Sequence, residues 1–413
     1  MSILIKDVLL DKTRTNVFIE GNKIAKIGGT SKAEFVIDGR QKAILPGLIN
    51  CHTHAAMSLL RGFGDDMELH DWLQNKIWPA EKRYKEKHYR IGTELAVLEM
   101  IKTGTTCYAD MYFHEDISAQ VCNEMGIRAF LGETHIDFLG DKEFKQIKHI
   151  IKEIRAMKIE RIQPTLAPHA IYTVSKENLA KLKELSMATN TLIQFHLAET
   201  RKENEDCFKQ HKKRPVELLE EIGFLGENLL AAHSTWLTKG ELRTLAKYNV
   251  KIVHNPIANM KLATGGIMPY PEMIETGLNV SLGTDGVASN NCLDMFQTMK
   301  FAALLQKCQR WQSTVLSAHE CFKLATRNGA KSLGINTGEI REGMLADIIL
   351  VDMKAVEMVP NYDLISNVVY AANGSCVSDV IIEGKIVMQN KKVKDEEKIL
   401  EKAEKIVEDF KTS

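Results

Sequence analysis

No run of eighteen apolar residues occurs in this 413-residue chain, so a membrane-spanning helix is not expected. An excess of either charge sign is also missing. Lys plus Arg and Asp plus Glu stand at 54 each, which removes the electrostatic reason to expect nucleic acid or an anionic membrane as partner. The expected partner is a small molecule. Cysteine is present without pattern: Cys51, Cys107, Cys122, Cys207, Cys292, Cys308, Cys321 and Cys376 form no C-x-x-C and no short framework spacing. They read as reduced core residues of a cytoplasmic protein. The N-terminal MSILIKDVLLDK has a charge inside its short apolar stretch and no small-residue cleavage site, so secretion is not expected either. Proline is scarce, at 9 residues, while hydrophobic residues make up 44% of the chain, enough for a large core and a second module.

The first forty residues read as short strands closed by Gly, Asn or Asp: ILIKDVLL, NVFIEG, NKIAKIGG and EFVIDG. From Ala43 the pattern becomes apolar strand followed by amphipathic helix, repeated, the signature of parallel βα units. Eight strands are expected, ending in ILPGLINCHTH, TTCYADM, IRAFLGE, IQPTLAPHA, LIQFHLAE, LLAAHS, VKIVHNP and NVSLGTDG. Eight such units predict a closed (β/α)8 barrel over residues 43–339. A doubly wound open sheet fits less well, because no Gly-rich phosphate loop follows the first strand and polar residues recur at nearly every strand end. Helices are expected from Asp294 to Lys307 and from Ser317 to Leu333, after which ADIILVD and DVIIEGKIVM return to strand. Since an incomplete β layer needs a partner, residues 1–42 and 340–392 are expected to join in one small sandwich beside the barrel. The charged segment 393–413 reads as a solvated helix.

Barrel chemistry comes from the C-terminal ends of different strands, and here those ends are polar. The first carries His52 and His54, whose spacing points two imidazoles to one spot. The fourth carries His169, the fifth His196 followed by Glu199, the sixth His233 and the eighth Asp285. A lone histidine at a strand end is ordinarily structural. Together, His52, His54, His196 and Asp285 supply a nitrogen-rich site for Zn²⁺ or Fe²⁺ with a position open for water, whose pKa the metal brings to roughly neutral. Glu199 is placed as a proton shuttle, His233 can orient the attacking hydroxide or stabilise charge, and Asp285 can both ligate and accept the water's proton.

Through PGLINCHTH, HLAET, AHS and GTDG, with the flanking β module, nearly the whole chain resembles the amidohydrolase superfamily. The segment GFGDDMELHDWLQNKIWPAEKR resembles the branch of 5-methylthioadenosine/S-adenosylhomocysteine deaminases, 5'-deoxyadenosine deaminases included. Members with two metals carry a bridging carboxylated lysine at the end of the fourth strand. IQPTLAPHA offers none, so the resemblance implies a single metal. It further implies that His52, His54, His196 and Asp285 are its ligands, and that Glu199 gives a proton to N1 of the purine while hydroxide attacks C6 and ammonia leaves. By the same resemblance Glu81 and His169 contact the ribose and Trp72 walls the pocket. Relatives acting on S-adenosylhomocysteine use arginines after the third strand to hold its carboxylate. Here GETHIDFLGDKEFKQIKHIIKEIRA has only Arg155, far along a helix. The expected substrates are therefore 5'-deoxyadenosine, 5'-methylthioadenosine and adenosine, with S-adenosylhomocysteine turned over less well.

Two alternatives remain beside this one. Another deaminase or chlorohydrolase of the same scaffold would act on a free base or triazine, such as guanine or cytosine; Glu81 with His169 argues for a ribose instead. A non-catalytic scaffold homologue predicts gaps in the ligand set, and none is seen. The cytidine-deaminase type of zinc site needs H-x-E and P-C-x-x-C, which the chain lacks. Association into a homodimer or homotetramer is expected from the barrel type.

Overall fold

The computed structural model describes residues 1–140 and 142–411. Eight parallel strands form one sheet in sequence order: β1 (Leu48–Thr53), β2 (Thr105–Tyr112), β3 (Arg128–His135), β4 (Ile162–Pro168), β5 (Ile193–Leu197), β6 (Leu229–His233), β7 (Lys251–His254) and β8 (Asn279–Leu282). Helices follow the strands, and the sheet curls into a near-closed (β/α)8 barrel. The seam between β8 and β1 is stitched by side chain as well as backbone. Asn50 Nδ2 donates to Thr284 Oγ1 at 2.7 Å, Asn50 Oδ1 accepts from the Thr284 amide at 3.0 Å, and the Asp285 amide donates to the His52 carbonyl at 3.0 Å. Because these bonds lie at the strand ends, closing the barrel also sets Asp285 against His52.

The N- and C-terminal strands join into one mixed sheet of nine strands, as expected for this fold class. Their junction is the antiparallel pair Lys42–Pro46 and Ile348–Asp352, and the sheet has its own core of Ile3, Ile5, Val17, Ile19, Ile44, Ile348 and Leu350. The apolar run beginning at Ala43 is thus two strands in two sheets, parted at Gly47 rather than at residue 43. Gly47 must pass against Thr106, whose Oγ1 would lie 2.1 Å from a Cβ placed there, and its amide donates to the Asp347 carbonyl. The run from Ser317 is likewise divided, into Ala318–Leu324 and Arg327–Leu333, where the Ala325 carbonyl accepts from the Ile49 amide of β1. The terminal helix, Glu396–Lys411, is not wholly solvated. Ile399, Ala403 and Ile406 are buried, and Lys402 pairs with Glu94 at 3.0 Å on the helix Glu86–Lys102. Residues 412–413 lie outside the described residues. Among the described residues no helix is long and apolar enough to cross a membrane.

A buried ion pair ties the barrel to the mixed sheet. Arg128 at the start of β3 meets Asp347 through Nε at 2.8 Å and a second nitrogen at 3.2 Å, and Asp347 also accepts from the Glu383 amide. Both side chains are at most 4% exposed. Asp347→Ala would leave a guanidinium buried without its carboxylate, so a loss of about 3–5 kcal/mol is expected. Urea unfolding followed by circular dichroism checks it; an unchanged midpoint would mean that Arg128 finds water or another partner.

Candidate metal centre and active site

At the C-terminal mouth of the barrel, the ends of β1, β5 and β8 converge. His52 lies in β1 and His54 one residue beyond its end, and their rings lie 4.9 Å apart, edge to face. His196, at the end of β5, brings Nε2 to 3.1 Å from His52 Nε2. Asp285 Oδ1 lies 3.1 Å from His54 Nε2 and 3.6 Å from His52 Nε2. With both Nε2 atoms unprotonated, a cation between them would take up the two lone pairs. Tetrahedral zinc with bonds of roughly 2.0–2.1 Å separates its donor atoms by roughly 3.3 Å, which is the spacing found here. Burial and the neighbouring imidazoles push the His52 and His196 pKa values well below the usual histidine value, keeping both rings in the neutral, ligating form. For His54 burial acts the same way, but the Asp285 carboxylate overrides it and raises the ring to about 9. His54 Nδ1 is engaged by the Met111 carbonyl at 2.6 Å, leaving Nε2 for the site, the outer bond that metal-binding histidines commonly make. This donor set fits a divalent metal.

The backbone is bent to make this convergence. Ala198, His233 and Asp285 all have left-handed φ, at 48°, 67° and 65°, which for non-glycine residues costs about 1–3 kcal/mol each. Buried Glu203 holds the first of these turns: its two carboxylate oxygens accept from the Ala198 and Glu199 amides, each at 2.8 Å. Thr235 Oγ1 donates to the Glu199 carbonyl at 2.7 Å. Glu199 is thereby turned inward and buried, and burial raises its carboxyl pKa against the opposing pull of His233. After β8, Gly283 passes so close to His52 that a Cβ would lie 2.9 Å from the His52 Cβ.

A cavity of about 280 Å³ opens onto this cluster. One end is lined by His54, His169, His196, Glu199, His233 and Asp285; the rest is largely apolar, with Trp72, Trp78, Phe138 and Tyr172. Every sequence-predicted site residue borders it except His52, which lies beneath, 1% exposed. Trp72 does two things at once, packing in a hydrophobic cluster and walling the cavity. Glu81 accepts from Tyr112 Oη at 2.5 Å, and burial pushes its pKa up to about 7 in spite of that bond. His169 packs edge to face on His196 at 4.8 Å and is held by Thr173 Oγ1 at 2.9 Å.

The sequence reading missed Tyr112, Glu203, Asn259 and Phe138. Tyr112 closes β2 and was passed over because a tyrosine there reads as core, whereas Glu203, Asn259 and Phe138 lie on helices, where no strand-end position marks them. Phe138, in the segment after β3, meets Trp78 with ring centroids 5.9 Å apart. Arg155 lies elsewhere, donating to the Thr189 carbonyl. Among the described lining residues the Lys or Arg side chain is that of Lys82.

The family model for the amidohydrolase family matches residues 43–387, which take in both the His/Asp cluster and the junction with the mixed sheet. The chain belongs to the amidohydrolase family. This amidohydrolase is 46% identical over 396 residues to the 5-methylthioadenosine/S-adenosylhomocysteine deaminase 1 of Archaeoglobus fulgidus, covering 95% of this chain and 94% of that one. It is 43% identical over 417 residues to the 5'-deoxyadenosine deaminase of Methanocaldococcus jannaschii, covering 98% and 99%. Among solved structures, it superposes on an adenosine deaminase from Xanthomonas campestris with bound zinc at a TM-score of 0.95 and 32% identity, covering 100% of this chain and 99% of that chain.

Proposed function

We propose that this amidohydrolase deaminates adenine nucleosides hydrolytically, converting 5'-deoxyadenosine, 5'-methylthioadenosine or adenosine to the inosine analogue and ammonia. The carrying observation is one cavity in which a four-donor cluster, a buried glutamic acid and a buried histidine meet, with Glu81 and an apolar wall beyond them. The deaminase names of the relatives support the nucleoside.

His52, His54, His196 and Asp285 would hold one divalent ion, zinc in the first instance, given the short distances that link the four through His52 and the zinc in the Xanthomonas campestris structure. Once bound, such an ion makes hydroxide available at neutral pH. Asp285 accepts a proton from the attacking water, and His233 orients that water toward C6. Glu199 donates its proton to N1, so that the ring nitrogen takes up the electron pair displaced when oxygen bonds to C6. The tetrahedral intermediate collapses as Asp285 passes the water's proton to the amino group, which departs as ammonia, while the C6 hydroxyl returns its proton to Glu199 as the carbonyl forms. Glu81 accepts hydrogen bonds from the ribose hydroxyls, His169 provides a further ribose contact, and Trp72 packs on the nucleoside.

Beyond the ribose the cavity offers Phe138 and Trp78 where a carboxylate-binding pair of arginines would be needed. Lys82 is a single point charge without Arg's planar fork. The expected order is therefore 5'-deoxyadenosine and 5'-methylthioadenosine above S-adenosylhomocysteine, with free adenine inert. Ammonia release across that panel with guanine added tests the reading. Turnover of guanine or adenine with every nucleoside silent would move the substrate to a bare heterocycle. Glu81→Gln is expected to lower kcat/KM for nucleosides about 10- to 100-fold, chiefly through KM, the scale of losing charged hydrogen bonds.

A further inference from the structure

Asn259 lies on the short helix Pro256–Lys261 that follows β7, outside the set of groups that touch substrate or metal in the reading above. Its side chain is 4% exposed. Burying an amide is costly unless its polar atoms are used, and among the described residues Asn259 Nδ2 has no hydrogen-bond partner. Its oxygen has one. Asn259 Oδ1 lies 2.7 Å from Nδ1 of His233, itself 1% exposed.

We propose that Asn259 is a positioning residue that fixes the tautomer of His233, holding the proton on Nδ1 and leaving Nε2 bare toward the reaction centre. Two acceptors flank Nδ1: Asn259 Oδ1, and Glu199 Oε1 at 3.7 Å. A protonated Nδ1 donates to the Asn259 oxygen, with the Glu199 oxygen beyond hydrogen-bond distance, whereas a bare Nδ1 would set its lone pair against that of the amide oxygen. The opposite side of the ring faces the cluster. One His233 nitrogen lies within 4.8 Å of the donor nitrogens of His52 and His196, and with Nδ1 taken by Asn259 the nitrogen available is Nε2. A bare Nε2 presents a lone pair to a site built for a cation, where an N–H dipole would be repelled. The same tautomer is the one able to accept a hydrogen bond from the attacking water, so the amide acts on catalysis through His233 without touching substrate. The backbone explains how the amide is held. The Asn259 N–H donates to the Asn255 carbonyl and the Asn259 carbonyl accepts from Thr264, neither bond needing the side chain.

This inference rests on the role given to His233 under the proposed function, and the test separates the two. In zinc-loaded protein labelled with ¹⁵N-histidine, the protonated and bare imidazole nitrogens of His233, assigned by comparison with His233→Gln, are expected to be Nδ1 and Nε2 respectively. A protonated Nε2 overturns the proposal, whatever the substrate proves to be. Asn259→Leu, close in volume, is expected to keep zinc and KM, lower kcat about 10- to 100-fold, the cost usual for an outer partner of a metal-site histidine, and shift the His233 tautomer. Asn259→Asp retains the acceptor oxygen and is expected to recover most of the loss and the wild-type tautomer. Unchanged kcat and tautomer in zinc-replete Asn259→Leu overturn the proposal. Should that variant not fold, the wild-type spectrum still decides. Wild-type protein inert toward every nucleoside, yet showing Nδ1–H, would sink the substrate reading and leave the positioning role standing.

Discussion

Protein carrying His196→Ala is expected to emerge from gel filtration without its metal and to release ammonia from 5'-deoxyadenosine at least about 10³-fold more slowly than wild type, the scale of losing a principal electrostatic contributor. His196 stands opposite His52 with donor nitrogens 3.1 Å apart, so its removal takes out one side of the cluster and leaves two imidazoles and one carboxylate. The nearest imidazoles are otherwise engaged: His169 is turned to Thr173, and His233 has its Nδ1 on Asn259 and its Nε2 assigned to the attacking water. The change deletes an inward-facing ring at a strand end rather than core packing, so the circular dichroism spectrum should stay as in wild type. Elemental analysis is the deciding measurement. One bound metal per chain in the variant, at wild-type affinity, would remove His196 from the ligand set.

Glu199→Gln should do the reverse, keeping one metal per chain while kcat falls about 10²- to 10⁴-fold. Glutamine has the shape and can donate a hydrogen bond to N1, yet has no acidic proton to give. The wild-type side chain is suited to giving one. It is 7% exposed, and burial raises its pKa, so the protonated form persists to higher pH than in an exposed glutamate. Near-wild-type turnover with full metal content would eliminate the proton-shuttle role and leave Glu199 as a turn residue, bonded through its amide to Glu203.

How far the site could be read from residues alone differs from element to element. His52, His54, His196, His233 and Asp285 were legible because a strand's period of two tells which side chains face the mouth, and each lies at or just beyond the end of an apolar run. Glu81 and Trp72 were legible through the resemblance of their segment to a family. Glu203 was not, because a glutamate in the first turn of a helix ordinarily signals dipole stabilisation. Its service to the Ala198 and Glu199 amides depends on a left-handed turn that alanine does not announce. The strand break at Gly47 was hidden because the residues on both sides are equally apolar. Only the neighbouring Thr106 and the Asp347 carbonyl assign them to different sheets.

By itself the sequence determined the barrel, the mixed sheet beside it, and the order in which ligand-type residues close the strands, because hydrophobic period and strand-end chemistry are local properties of the chain. The tertiary structure decided what no local property carries: that residues 144 apart, His52 and His196, meet at hydrogen-bond distance, that Phe138 closes on Trp78, and that the oxygen of Asn259 meets Nδ1 of His233. Those contacts exist because the barrel closes through Asn50 and Thr284 and because strained turns after β5, β6 and β8 aim side chains across the mouth, and such geometry arises only when every strand is in place.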